Sequence, residues 1–262
     1  MISVICSTIN PNLATLASIE SVLRDISSYD ELILHLDPCN GAESSWDPKI
    51  SDSRLTILRT TSRIGFANGL NLAASRARHE FLGRIDADDL SLPGRWAYQL
   101  KAITDVDVHF GSMLHYYPSK FVPLILPHYP VALAPQEFQV VARFTNPGFH
   151  PAALMRRSSF EKLGGYRDVI SEDYDLWLRG LAEGMRFSRG LRPVTLYRHH
   201  AQQATSAKDW ADRVSSDAST IRGQTRVSEI LSDESVSVSK VLWELSRKYP
   251  FALLEFRHLF GS

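Results

Sequence analysis

The chain has no excess charge of either sign. Its 262 residues carry 29 Lys and Arg against 29 Asp and Glu. Proteins that hold nucleic acid by its phosphates normally need net positive charge, so that class is disfavoured. The balance, with 44% hydrophobic residues, also excludes a strongly acidic or basic disordered segment as the main feature. It leaves room for a polyanionic small ligand held at one local site. Cysteine is almost missing. Cys6 and Cys39 have no metal-binding spacing and read as free thiols, lining a core or a site, of a cytoplasmic chain. Long apolar runs are missing too. Met1–Ile5 is too short for a signal-peptide core and has no basic segment before it. The nearest approach to a membrane span, residues 121–134, is broken by Pro123, Pro127 and Pro130.

What is present in the first hundred residues is an alternation of strand and helix patterns. Strands fit Ile2–Cys6, Glu31–Leu36, Leu55–Leu58 and Phe81–Ile85. Apolar residues at helical spacing fit Leu13–Ile26 and Ala67–Arg78. Asp37-Pro38-Cys39-Asn40-Gly41 reads as a turn. The pattern predicts an α/β fold, a mostly parallel sheet with helices on both faces. Ligands in such sheets bind beyond the carboxyl ends of the strands. Thr8, Asp37 and the acidic cluster after the fourth strand all fall there, so they are expected to converge. Residues 108–136 differ: they hold one charged residue, Lys120, and five of the thirteen prolines. They read as an extended strand-and-loop region over the site. From about Ala207 the chain reads as helical, in two helices with a break at Pro250.

Three clusters carry chemistry. Arg84-Ile85-Asp86-Ala87-Asp88-Asp89 places three carboxylates within four residues at a strand end, where they repel one another unless a cation is bound. Oxygen ligands of this kind suit Mg²⁺ or Mn²⁺, with phosphate oxygens and water completing the shell. The competing reading is a helix cap, which fits Asp89 but leaves Asp86 unexplained. Glu172-Asp173 precedes an apolar helix pattern and reads either as helix capping or as a general base. Tyr197-Arg198-His199-His200 reads as a solvated loop or as a metal or diphosphate contact. The stretch Arg63–Asn71 contains glycines but is neither a dinucleotide fingerprint nor a Walker loop.

Taken in order, these pieces resemble glycosyltransferase family 2, inverting enzymes with the GT-A fold. The residues that carry the resemblance are Ser3–Thr8, Glu31–Asp37, Gly65–Asn71 and Glu80–Arg95, then Asn146–Pro151, Gly164–Tyr166 with Glu172–Trp177, and Tyr197–His200. The resemblance implies a Rossmann-like mixed sheet flanked by helices over residues 1–205, followed by a helical extension over 206–262. It implies a nucleotide-sugar donor, most often a UDP-sugar, a Mn²⁺ or Mg²⁺ cofactor, and a glycan or lipid-linked acceptor in bacterial surface polysaccharide or glycoconjugate synthesis. By position, Asp37 would face the nucleobase, with Thr8, Gly65, Asn71 and Arg198 around the nucleotide. Asp86 would approach the ribose or donor, and Asp88 and His200 would lie at the metal. Asp173 would be the catalytic base, with Glu172 beside it.

This chain departs from the family in having Asp37-Pro38 where a second carboxylate is common after the second strand. The His199-His200 doublet leaves open which histidine faces the site. Two rival readings are a nucleotidyltransferase and an inactive scaffold or partner-binding subunit. Ser7-Thr8-Ile9-Asn10-Pro11 after the first strand, in place of a glycine-rich phosphate loop, argues against the first. Intact Asp86, Asp88, Glu172 and Asp173 argue against the second. The tail from Val241 to Phe260 reads as a helix packed on the domain or on a second subunit, or as an interfacial helix holding the protein at the inner face of a membrane.

Overall fold

The computed structural model describes residues 1–38, 45–119, 121–128, 131–200 and 238–248. Cys39, the rest of the turn after Asp37, Lys120, residues 201–205 and most of the expected tail helices lie outside them. Ile2–Thr8 forms β1. Asn12 starts α1 (Leu13–Asp25): its Oδ1 accepts from the Ala14 amide at 2.7 Å, and Thr15 Oγ1 accepts from the Asn12 amide at 3.2 Å. The cap thus satisfies amides that the first helical turn would otherwise leave unpaired. Next come β2 (Glu31–Leu36), β3 (Leu55–Arg59), α2 (Phe66–Ser75) and β4 (Phe81–Arg84). The two long helices differ from the periodicity reading only at their ends.

After β4 the chain adds β5 (Leu90–Ser91), α3 (Arg95–Ala102), β6 (Val108–Tyr117), β7 (Leu124–Pro127) and α4 (Pro135–Val141). A short 3-10 turn (His150–Ala152) leads into β8 (Ala153–Arg156), α5 (Arg157–Lys162), α6 (Glu172–Ala182) and β9 (Phe187–Arg198). Residues Val238–Lys248 form α7. The strands make one sheet in the order β3-β2-β1-β4-β8-β6-β9-β5, with β7 paired to β6. The first four are parallel, β8 is antiparallel to both β4 and β6, and β9 runs parallel to β6. The expectation of a mostly parallel sheet therefore holds for one half only, and the whole sheet is mixed. Residues 108–136 supply β6 and β7 and the first two residues of α4.

Alternate residues of the central strands face opposite cores, as expected for strands covered on both sides. Ile5 and Ile33 join Leu70, Phe110, Phe138, Trp177 and Phe187 on the face of α2, α4 and α6. Val4, Cys6, Leu32 and Leu34 join Ile19, Val22 and Trp96 on the face of α1 and α3. Helix α2 lies so close to β1 and β2 that a Cβ on Gly69 would come within 2.4 Å of both His35 Nδ1 and Ser7 Oγ. Leu245 of α7 is buried in the first core, and α7 contacts α4. This stretch of the extension packs on the domain. Among the described residues no helix is long and apolar enough to cross a membrane.

Candidate active site

Because β1, β2 and β4 are parallel neighbours, their carboxyl ends share one edge of the sheet. Thr8, Asp37 and Asp86 stand there, but their environments differ. Asp37 is fully buried. Its Oδ1 accepts from the Ile64 amide and its Oδ2 from the Gly65 amide, both at 2.9 Å, and its own amide donates to the Thr8 carbonyl at 2.9 Å. Its carboxylate builds the loop that leads into α2. Gly65 sits at φ +86°, a conformation that side chains resist, and begins α2. Asn71 spends its amide on the next loop: its Nδ2 donates to the Tyr166 carbonyl at 2.8 Å and its Oδ1 accepts from the Tyr166 amide at 2.9 Å. A Cβ at Gly165 would fall 2.5 Å from that same Oδ1.

The acidic cluster divides its labour. Asp86 is paired to the buried Arg84 at 2.6 Å, and its backbone carbonyl accepts from Ser18 Oγ at 3.1 Å. Asp88 Oδ2 lies 2.6 Å from His200 Nε2, and both side chains are about one-third exposed (32% and 31%). Asp89 is fully buried and accepts from the Arg198 amide at 2.9 Å. Burial first, then the negative charge of Asp86, holds its carboxyl well above the usual carboxylate range. It caps no helix, since α3 is capped by Gly94 and β5 begins directly after Asp89. Its role is to tie the turn at residues 86–89 to the end of β9. The backbone of Arg198 is thus part of the frame.

The histidine doublet also divides. His200 faces Asp88. His199 turns to the other side, where its Nε2 is 2.8 Å from His115 Nδ1 and its ring stacks on Tyr117 with centroids 4.1 Å apart. His115 Nε2 in turn lies 2.7 Å from His128 Nδ1.

The other carboxylate pair opens α6. Asp173 Oδ2 accepts from Asn146 Nδ2 at 2.8 Å. Glu172 Oε1 lies 3.6 Å from His150 Nδ1, and His150 Nε2 is 2.8 Å from the Tyr166 hydroxyl. Burial raises both carboxyl groups, and the Asp173 charge raises Glu172 further, to about 8. The Asn146 bond works against the shift at Asp173, because it favours the charged form. The two carboxyl groups therefore titrate as a pair, both pushed upward. Burial and the Arg84 charge push His150 well below the usual imidazole range, so it is a neutral neighbour. Asp175, one turn inside the helix, is committed to Arg179 at 2.8 Å. Arg84 and Asp86 both act on Glu172 electrostatically, so the two acidic clusters lie in one field. Asn146 and His150 lie in a stretch that carries the resemblance, but the sequence assigns them no role. Their role appears only once the loop at 146–150 is placed against the start of α6.

Among the described residues no group of three or more His, Cys, Asp or Glu side chains is assembled as a metal cage. Asp88 and His200 supply one hard oxygen and one imidazole, both accessible. That donor set fits a divalent cation whose other positions come from phosphate and water.

Comparison with known proteins agrees with this architecture. The family model described as "Glycosyl transferase family 2" matches residues 3–164. The putative glycosyltransferase EpsE of Bacillus subtilis is 31% identical over 201 residues, covering 71% of this chain and 68% of that protein. The Escherichia coli UDP-Glc:alpha-D-GlcNAc-diphosphoundecaprenol beta-1,3-glucosyltransferase WfaP is 24% identical over 210 residues, covering 79% of this chain and 81% of that protein. A crystal structure of S. aureus TarS 1–349 in complex with UDP-GlcNAc superposes with a TM-score of 0.62 at 14% identity, covering 96% of this chain and 75% of that one. The four parallel strands and their antiparallel extension form a GT-A-type fold, and the chain that builds them belongs to glycosyl transferase family 2.

Proposed function

We propose that the protein transfers a sugar from a UDP-sugar to a hydroxyl of a lipid-linked glycan acceptor, with inversion at the anomeric carbon, at the cytoplasmic face of a membrane. The observation that carries the catalytic part is the carboxylate pair at the start of α6. Asn146, bonded to Asp173, favours its charged form, whereas the charge of Asp173 raises Glu172. Asp173 is then the base. The acceptor hydroxyl attacks the anomeric carbon from the face opposite UDP and gives its proton to Asp173. The bond from that carbon to the diphosphate oxygen breaks, and UDP leaves with the electron pair. The donor and acceptor chemistry rests on the likeness to the UDP-Glc:alpha-D-GlcNAc-diphosphoundecaprenol glucosyltransferase WfaP and to TarS in complex with UDP-GlcNAc.

Asp88 and His200 would hold Mn²⁺ or Mg²⁺, which supplies positive charge to the leaving diphosphate when bound. Arg84 orients Asp86, and the Gly65–Asn71 segment, braced by Asp37 and Tyr166, shapes the nucleotide side. General-base catalysis is worth about a hundred- to ten-thousand-fold. Asp173→Asn should lose transfer by about that factor, read as UDP release, while calorimetry shows donor binding retained. Transfer near the wild-type rate would remove Asp173 from this role.

A further inference from the structure

The strongest feature that the reaction does not use is the hairpin of β6 and β7. Strand residues point alternately to opposite faces. In β7, however, Leu124, Ile125 and Leu126 are 49%, 53% and 44% exposed, so among the described residues neither face of this strand is covered. Ahead of it, Phe121 is 95% and Val122 74% exposed. Native edge strands are usually blunted by charge. Here the sequence from 108 to 136 offers only Lys120. A contiguous apolar patch of this kind marks an interaction surface.

A flat protein partner covers one face of a strand. A strand at the sheet's margin that is apolar on both faces, as β7 is with Leu124 and Leu126 on one and Ile125 on the other, is satisfied by a medium that meets both. The turn end of the hairpin carries Tyr116 and Tyr117, paired with Ile125 and Leu124 and of the residue type that sits at a membrane–water boundary. This end also touches the site: the His199 amide donates to the Tyr116 carbonyl at 2.8 Å, and the His199 ring stacks on Tyr117, next to the His200–Asp88 pair.

We propose that residues 121–127 insert into the surface of a lipid bilayer and hold the carboxyl edge of the sheet against it. An acceptor diphosphate at the headgroup level would then lie beside the site. The inference rests on the lipid-linked acceptor reading for its purpose, though not for its physics.

The test uses the full chain and vesicles of equal parts phosphatidylethanolamine and phosphatidylglycerol. Wild type is expected to float with the vesicles. Phe121→Ser/Leu124→Ser/Ile125→Ser is expected to lose bound fraction at least about tenfold, because apolar burial supplies the binding. UDP release with a water-soluble GlcNAc-diphosphate alkyl ester should stay within about twofold of wild type, while release with the polyprenyl acceptor in vesicles falls. Should the triple variant fail to fold by circular dichroism, Phe121→Trp decides. Its emission should gain a blue-shifted component that brominated lipid quenches, measured against wild type. Equal flotation of the two proteins, no flotation of wild type, or no added quenching in Phe121→Trp would overturn the proposal. So would a dimer that the triple variant converts to monomer without change in flotation, since the ribbon would then cover a second copy. Flotation that depends on the hairpin, with no transfer to either acceptor, would refute the proposed reaction and leave the membrane surface standing.

Discussion

The two ends of the sheet treat their carboxylates in opposite ways. On the β1–β2–β4 side Asp37 is closed off, with both oxygens committed to backbone amides of the loop before α2. On the α6 side Glu172 and Asp173 crowd each other, and Glu172 meets only a neutral histidine, at 3.6 Å. Both sites are acidic residues at the ends of elements, and by spacing alone they look alike. The difference lies in whether permanent partners use up the charge. Where they do, the carboxylate stabilises the frame. Glu172, whose nearest ionisable partner is a neutral histidine, is raised to about 8, the setting in which proton-transfer groups are found.

The contrast can be broken from either side, and the largest effect is expected in the pH dependence of stability. Glu172 binds its proton more tightly folded, at about 8, than unfolded, at about 4.3. Between those values the native state holds more protons than the unfolded state. Stability is therefore fully present below about pH 4 and falls as pH rises toward 8. The fall amounts to at most about 5 kcal/mol from this group. Glu172→Gln should flatten urea-unfolding stability across pH 5–8 and be the more stable protein at pH 8. A wild-type profile no steeper than the variant's would mean that the pair is not strained.

The closed-off carboxylate should behave as structure. Asp37→Ala leaves two amides without their charged acceptor and should cost about 3 kcal/mol in the same unfolding experiment. A loss under about 1 kcal/mol would contradict the framing role. Asp88→Ala should be gentler on the fold, because its partner His200 is only part-buried. Its effect should appear as donor affinity weakened by about tenfold or more with Mn²⁺ and little changed without it. Equal loss in both conditions would separate Asp88 from any metal role.

Much of this could be read from residue order. The runs Glu31–Leu36 and Leu55–Leu58 and the helical spacing of Leu13–Ile26 mark their elements because local pattern and burial coincide. The mixed sheet that the resemblance implied could not be read from local pattern, because β8 is only four residues long and reaches β4 across a separation that leaves no local trace. Helix α4 was hidden among prolines, although Pro135 stands at its first turn, where proline is tolerated. In the site, spacing placed Asp86, Asp88 and Asp89 together but could not tell that Asp89 would be spent on the Arg198 amide. Nor could it tell which of His199 and His200 turns inward. Those outcomes depend on contacts more than a hundred residues apart.

That separation has a consequence for the order in which the protein is made. The Asp86–Asp89 segment is synthesised more than a hundred residues before the amide and the imidazole that hold it, at Arg198 and His200. While the ribosome is still adding β6 and α6, Arg84 and Ser18 can already hold Asp86, but Asp88 and Asp89 lack their partners. A nascent chain thus carries half of the Asp88–His200 pair until β9 emerges and closes the sheet. Chains stalled or cut before Arg198 would lack that pair.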